Sequence, residues 1–364
     1  MIHHYTLTEH QMNKLNSIKY PLLFWYDLNK RDLPWRSHID EQYLDPYKVL
    51  VSEVMLQQTT VSVATKYFKN FIERWPNIEL LATASEDEII TAWAGLGYYA
   101  RARNLLKCAK IIVSDFQGIF PQDINLLKKL PGIGDYTSAA IMSIAFNQQS
   151  NAVDVNIERV ISRLFALKSN NLLHNKKKIR DIVSQLTLGN RPGDVLQGLM
   201  DIGSLICSAK QYKCDICPLK TECIALGEDI VSQIPRKGRK ITRGKKIGTL
   251  YLITREDGAY LLRKRPSKGL LGGTIEFPGT DWDDDEVIKN SYVQLDNIHC
   301  KELGIIKHAF SHFNLTVSVV GKIKFENKKD FMVPLNLDNC FWALPEEFCK
   351  YGFSSLMKKV IQFT

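Results

Sequence analysis

Cys207-Ser208-Ala209-Lys210-Gln211-Tyr212-Lys213-Cys214-Asp215-Ile216-Cys217-Pro218-Leu219-Lys220-Thr221-Glu222-Cys223 places four thiols within seventeen residues, spaced Cys-x6-Cys-x2-Cys-x5-Cys. Short loops of this kind deliver several soft anionic ligands to one point, as zinc or an iron–sulfur cluster requires. Structural zinc sites usually bring two tight knuckles, whereas here only Cys214 and Cys217 are close, so the spacing favours iron–sulfur over zinc. A disulfide pair is the third reading. The absence of a secretory segment argues against it, because reducing compartments keep thiols free. The stretch also divides the chain: apolar residues before it recur at helical spacing, and those after residue 246 alternate with period two.

At 364 residues the chain is long for one core, and 45% apolar content fits two or three ordinary globular domains. The formal charge of +9 points to a polyanionic partner where the cations cluster. They do cluster between Arg236 and Lys246, where seven of eleven residues are Lys or Arg, two are glycine and none is acidic. That run reads as a flexible cationic linker able to touch phosphates. With no apolar run of eighteen residues, the expectation is a cytoplasmic protein, nucleoid-associated in a bacterium, with no membrane partner. Cys108, Cys300, Cys340 and Cys349 show no ligand spacing and read as small buried residues.

Along the chain, helical periodicity predicts helices over 7–28, over 47–75 with a break near 59–62, and over 86–93, 100–116, 124–130, 137–146, 155–164 and 182–206. Gly95-Leu96-Gly97-Tyr98-Tyr99 forms a tight turn between two of these. Leu130-Pro131-Gly132-Ile133-Gly134 joins two others, and the backbone N–H groups beyond Gly132 and Gly134 suit a phosphate; an ordinary helix–turn–helix is the competing reading. After residue 246, strands are expected at 248–253 and 259–264 as a hairpin about Glu256-Asp257-Gly258, and at 274–277, 303–308, 315–323 and 340–344. A closing helix is expected over 354–362. The acidic run 281–286 reads as a solvated loop.

Two carboxylates stand out. Glu53 lies among Val49, Leu50 and Leu56 on a helical stripe, where desolvation would raise its pKa and keep it protonated near neutrality; an exposed helical Glu is the plain alternative. Asp154 precedes a helix and reads equally as an N-cap or as a second carboxylate of different environment. An unequal carboxyl pair suits N-glycosidic cleavage, one group protonating the leaving base and the other steadying positive charge on the sugar. Chemistry on a base in duplex DNA also needs a wedge to replace the extruded nucleotide, and Gln58 and Tyr98 are the wedge candidates.

Taken together, Ser52-Glu53-Val54-Met55-Leu56-Gln57-Gln58-Thr59, the segment Gly95 to Asn104, the glycine hairpin, Asp154, the four cysteines and Phe310-Ser311-His312-Phe313 resemble the MutY-type adenine DNA glycosylases of the helix–hairpin–helix superfamily. The resemblance implies an all-α helix–hairpin–helix glycosylase domain with an iron–sulfur module, followed by an α+β Nudix-like domain. The expected division is 1–228, including the 207–223 loop, then a basic linker over 229–246, then 247–364. It implies a [4Fe-4S] cluster on Cys207, Cys214, Cys217 and Cys223. Glu53 becomes the general acid and Asp154 the charge-stabilising carboxylate, with Tyr136 and Asn156 lining the active site and Arg36 and Gln197 at adenine-contacting positions. Ser311 and His312 become the readers of 8-oxoguanine. The implied partner of this monomer is duplex DNA carrying 8-oxoguanine:A or G:A. Two departures stand against the family pattern: Val155 where glycine usually follows the Asp, and Leu271 where tryptophan is common. Residues 37–44 look like an insertion.

Two rivals remain at this level. A bifunctional glycosylase/lyase resembling endonuclease III needs an amine nucleophile, which its relatives carry two residues after the last hairpin glycine; this chain has Tyr136 there. A non-catalytic nucleic-acid-binding iron–sulfur protein fits the charge and the cysteines, and only Glu53 and Asp154 oppose it. Pyrophosphohydrolysis by the C-terminal domain lacks the Glu-rich magnesium helix it would need.

Overall fold

The computed structural model describes residues 9–36, 44–168, 172–235, 243–283, 301–324 and 339–364. In chain order its helices are α1 (Glu9–Asn29), α2 (Pro46–Leu56), α3 (Val61–Arg74), α4 (Ile78–Thr83), α5 (Glu86–Ala92), α6 (Ala100–Phe116), α7 (Ile124–Lys129), α8 (Asp135–Ile144), α9 (Val155–Leu164), α10 (Leu172–Leu186), α11 (Pro192–Leu205), α12 (Ile224–Gly227) and α13 (Ser355–Val360). The strands are β1 (Gly244–Thr254), β2 (Tyr260–Lys264), β3 (Ile275–Glu276), β4 (Lys301–Ala309), β5 (Phe313–Lys324) and β6 (Cys340–Ala343). Two compact units result: Met1–Ala82 with Lys107–Gly238, and Thr83–Leu106 with Arg239–Thr364.

The first unit is helical. Its core joins Ile18 and Leu22 of α1, Ala139 and Ala140 of α8, Ile157 and Ile161 of α9, Val183 of α10, and Leu196 and Leu199 of α11. Helix α11 packs against α1, α8 and α9. Its glycines permit that approach. A Cβ on Gly203 would stand 2.7 Å from the Asn156 Cβ and 3.0 Å from the Asn156 carbonyl, so the close seating of α11 on α9 requires glycine there. The expected break between α2 and α3 falls at Gln57–Thr60. Pro21 sits inside α1 without ending it, and the short helix α4 was not expected.

The second unit holds a six-stranded sheet ordered β3-β2-β1-β5-β4, with β6 on β2. Strand β1 pairs antiparallel with β2 at Thr254 opposite Tyr260, and in parallel with β5 from Gly244 opposite Phe313 to Thr254 opposite Lys324. The expected hairpin about Glu256-Asp257-Gly258 joins β1 to β2, whereas the parallel partner β5 was not foreseen, because a period of two carries no information on distant pairing. Leu252, Leu262, Phe277, Val317, Val319, Leu356 and Met357 fill the core. Helix α5 starts at a capping box between Ser85 and Glu88. The segment Thr83–Leu106 is tied into this unit by Arg103 Nη1 donating to the Gly272 carbonyl at 2.6 Å and by Lys358 Nζ donating to the Ala94 carbonyl at 3.0 Å.

Three expectations need correction. Gly244–Lys246, read as the end of the linker, begin β1; residues 236–242 lie outside the described residues. Asp281–Asp283, read as solvated loop, run beside β1, with Ile247 N donating to the Asp283 carbonyl at 2.9 Å and Thr280 N to the Thr249 carbonyl at 3.0 Å. Residues 284–286 lie outside the described residues. Of the cysteines read as buried, Cys108 is, Cys340 is partly so and Cys349 is exposed; Cys300 and most of the expected insertion, 37–43, also lie outside the described residues. Among the described residues no helix is long and apolar enough to cross a membrane.

Candidate active site

Helix α2 starts at Asp45, whose carboxylate accepts from Tyr47 N at 2.9 Å, with Pro46 preset for the first turn. Val49 through Met55 are all buried, so the helix interior carries Glu53 inward at 7% exposure. Its carboxyl is pushed up to about 7. Burial is the main cause; the Tyr136 hydrogen bond and the Arg36 charge oppose it, and the Asp154 charge adds to it. Tyr136, in the first turn of α8, holds its phenol well above the ordinary range because of burial and the nearby Glu53 and Asp154 charges. A cavity of about 50 Å³ lies against Glu53, with Trp35, Arg36, Leu56, Ile144 and Gln197 in its walls.

Asp154 is the N-cap of α9. Its Oδ1 accepts from Asn156 N at 3.0 Å and Ile157 N at 2.7 Å, and Oδ2 accepts from Asn156 Nδ2 at 2.9 Å. Burial nevertheless raises its pKa, with these hydrogen bonds pulling the other way. The two readings of Asp154 are therefore compatible: one oxygen caps the helix, and the same carboxylate stands near enough to Glu53 to shift it. Val155 is 72% exposed at the first helical position, so the departure from glycine leaves the cap in place.

Arg36 and Gln197 both border the Glu53 cavity, but Arg36 is not free. Its Nη1 and Nη2 donate to Asp201 Oδ2 and Oδ1 at 2.7 and 2.9 Å, and Arg31 Nε donates to Asp201 Oδ1 at 2.7 Å. Asp201 is wholly buried one turn after Gln197 on α11, so two arginines neutralise one desolvated acid. Sequence reasoning missed Asp201 and Arg31. The available signal was a lone acid four residues after Gln197 in the otherwise uncharged run Val195 to Leu205.

Arg159 and Arg163 of α9 were also missed. Asn156 Oδ1 accepts from Arg159 Nη2 at 2.8 Å, and Arg159 Nε donates to the Cys207 carbonyl at 2.7 Å, which joins Asp154 to the thiol segment through two side chains. Arg163, fully buried, donates from Nη1 to Cys207 Sγ at 3.2 Å and to the Ser208 carbonyl at 2.9 Å.

Cys214 and Cys217 bracket one 3-10 turn and Cys223 ends the next. Among the described residues no three metal-ligating side chains are gathered closely enough to enclose a metal ion. The donor set still fits a thiolate-bound cluster. Burial pushes the Cys217 thiol up to about 11, the charges of Cys207, Cys214 and Cys223 push it the same way, and Arg163 supplies N–H donors and positive charge to the group. Thiols of this softness, with a buried arginine whose N–H groups and charge suit thiolate sulfur, are the donor type that a thiolate-bound cluster takes.

The hairpin has Gly132 at φ +82°, the left-handed region that favours glycine, and Gly134 as the N-cap of α8. A Cβ on Gly134 would meet open space, so its backbone is accessible from outside. Gln58 is exposed at φ +58° after α2, and Tyr98 is 45% exposed at φ +49°. Non-glycine residues in this region carry strain, which collects at functional positions. In the second unit Ser311 and His312 are the two exposed tip residues of the β4–β5 hairpin, closed by Phe310 N donating to the Phe313 carbonyl at 2.8 Å.

Of the residues named from the sequence, those of the helical unit thus include one group around Glu53 and one at the thiols, with Gln58, Gly132 and Gly134 exposed on the same unit, and Tyr98, Ser311 and His312 belong to the other unit. Comparison with known proteins finds two families along the chain, the first of them running through the segment Thr83–Leu106 that packs with the second unit. The family described as HhH-GPD superfamily base excision DNA repair protein matches residues 51–187, and the NUDIX domain family matches residues 249–363. The chain is 34% identical to the adenine DNA glycosylase of Homo sapiens, over 94% of this chain and 72% of that protein. It is 36% identical to the adenine DNA glycosylase of Buchnera aphidicola subsp. Schizaphis graminum, over 81% and 84%. A solved thermostable thymine-DNA glycosylase superposes with a TM-score of 0.52 at 28% identity, over 59% of this chain and 98% of that one. With its helical repair domain, its Nudix-like second domain and this shared sequence, the chain belongs to the adenine DNA glycosylase family.

Proposed function

We propose that this family member is a monofunctional DNA glycosylase that flips adenine out of duplex DNA and hydrolyses its bond to deoxyribose where adenine faces 8-oxoguanine or guanine. The observation that carries the reading is a buried Glu53 with its pKa near 7, hydrogen-bonded to Tyr136 and within electrostatic reach of Asp154. Glu53 holds its proton near neutrality and donates it to a ring nitrogen of adenine. The C1′–N9 bond breaks, its electron pair leaves with the base, and the Asp154 carboxylate stabilises the positive charge on the sugar. Water adds to C1′ and gives its proton to the carboxylate left on Glu53, so adenine and an abasic site result. Tyr136 holds the Glu53 carboxyl and Asn156 orients Asp154. Arg36 and Gln197 border the base pocket.

Gln58 and Tyr98 fill the gap left by the extruded base, and the backbone at Gly132 and Gly134 receives a phosphate. Ser311 and His312 meet the C8 carbonyl and N7 hydrogen that distinguish 8-oxoguanine from guanine. Cys207, Cys214, Cys217 and Cys223 hold a [4Fe-4S] cluster, which when bound cross-links its loop and supplies no acid–base group. The helical unit carries the glycosylase chemistry and the strand-bearing unit the lesion recognition, in a monomer of the cytoplasm.

Incubation with a duplex bearing one 8-oxoguanine:A pair tests the reading: strand breaks are expected only after alkali. Breaks without alkali would make the enzyme a lyase, and none after alkali would remove the activity altogether. Replacing Ser311 and His312 together with Ala is expected to shrink the rate ratio between 8-oxoguanine:A and G:A. Equal losses on both duplexes would remove the lesion-reading role.

A further inference from the structure

We infer that Trp282 is a positioning residue for lesion discrimination, holding the Ser311–His312 turn through a column of stacked side chains; this rests on the reading of that turn as the 8-oxoguanine reader. The turn is flanked by Phe310 and Phe313, whose rings stack with centroids 4.8 Å apart at 28°. Trp282 packs against Phe310 in a tilted contact at 5.8 Å and 33°. The Arg265 guanidinium sits over the indole at 5.2 Å, and its Nη1 pairs with Glu276, which is 1% exposed and also takes Arg263 at 2.6 Å. The column therefore runs from a buried carboxylate anchored by two arginines to the phenyl ring next to Ser311.

Trp282 is fixed from its other sides as well. Its carbonyl accepts from Lys246 Nζ at 3.1 Å, and the same ammonium lies 5.6 Å over the Phe313 ring. Asp283 exchanges hydrogen bonds with Ile247 on β1. The indole rests against the Gly248 backbone so closely that a Cβ there would stand 2.6 Å from Trp282 Cδ1. Beyond the Tyr98 hydroxyl 2.7 Å from Ser311 Oγ, the two-residue turn has exposed polar side chains and relies on the rings at its base for its position. Rigid rings beneath it set where Ser311 Oγ and the His312 imidazole stand, and a reader distinguishing one carbonyl and one hydrogen loses selectivity when its donors move by a fraction of an ångström.

The test uses the full-length protein and its Trp282→Ala, Trp282→Phe and Gly248→Ala variants, with Ser311→Ala/His312→Ala as the reference for the turn itself. Single-turnover excision is measured on 8-oxoguanine:A and G:A duplexes. Stacked aromatic pairs are worth enough beyond area burial to change a ratio by about three- to tenfold. Trp282→Ala is expected to cut the rate ratio by about that factor, chiefly by slowing the 8-oxoguanine:A reaction, and Trp282→Phe to restore most of it. Gly248→Ala, which displaces the indole without removing it, is expected to act in the same direction and serves where Trp282→Ala does not fold. If the reference double variant shrinks the ratio while Trp282→Ala or Gly248→Ala lowers both rates equally or neither, the positioning role is overturned. If the reference variant leaves the ratio intact, the reading of the turn fails first.

Discussion

The Tyr98 hydroxyl and Ser311 Oγ lie 2.7 Å apart, 213 positions apart in the chain and inside one compact unit. Tyr98 is itself held at φ +49°, with the Arg101 guanidinium 5.6 Å over its ring. The wedge candidate and the lesion-reading candidate are therefore hydrogen-bonded to each other, and the orientation of the serine hydroxyl depends on the tyrosine.

Tyr98→Phe keeps the ring and removes that partner. A net hydrogen bond of about 0.5–1.5 kcal/mol corresponds to roughly two- to tenfold in rate or affinity. The expected outcome is a loss of that size in the ratio between 8-oxoguanine:A and G:A, with the G:A rate little changed. Single-turnover kinetics on the two duplexes measure it, and an equal loss on both would assign the hydroxyl to wedging alone.

Glu53 sets a pH dependence in two independent observables. As the acid it must be protonated, so the single-turnover rate is expected to fall as pH rises through about 7. Its folded pKa lies above the unfolded carboxyl value, so the native state keeps a proton that the unfolded chain releases, and Glu53 costs stability progressively from about pH 4.5 to 7. Glu53→Gln should abolish excision with mismatch binding retained. It should also stabilise the protein at pH 8, by on the order of 3 kcal/mol, and hardly at pH 4. Urea melts at both pH values check the second effect without any substrate; excision within tenfold of the unsubstituted enzyme would remove Glu53 as the acid.

Asp154 combines a cap and a charge, and two substitutions separate them. Asn also caps a helix, so Asp154→Asn should keep the melting temperature while the rate falls, on the order of 10²- to 10³-fold, through loss of the negative charge beside the sugar. Asp154→Ala should add about 1 kcal/mol of destabilisation. An unchanged rate in the Asn variant, measured beside its melting curve, would leave only the cap.

The purified protein is expected to be brown, with about four irons per chain. Cys217→Ser should lower the iron content and the melting temperature together, because the cluster closes the loop between Cys207 and Cys223. Elemental analysis decides between this and the zinc reading: one zinc and no iron would overturn the cluster.

Much of this molecule is legible in local sequence. The change of period after residue 246 marks where helices give way to strands, because side-chain direction repeats every 3.6 residues in one and every two in the other. The apolar stripe around Glu53 foretells its burial, since neighbours on a helix face are set by spacing alone. Cysteine intervals and the paired hairpin glycines are equally local. What only the tertiary structure decided are contacts between residues far apart in the chain. Asp201 meets Arg31 and Arg36 across 170 and 165 positions, Arg159 and Arg163 reach Cys207 from another helix, and β1 takes β5 as a parallel partner. Trp282, in what reads as an acidic loop, joins the Phe310 stack, and Tyr98 finds Ser311. No period or spacing encodes such pairs. Each charged or aromatic side chain has many acceptable partners by chemistry, and the choice is made when the packed backbone leaves one of them within reach and out of water.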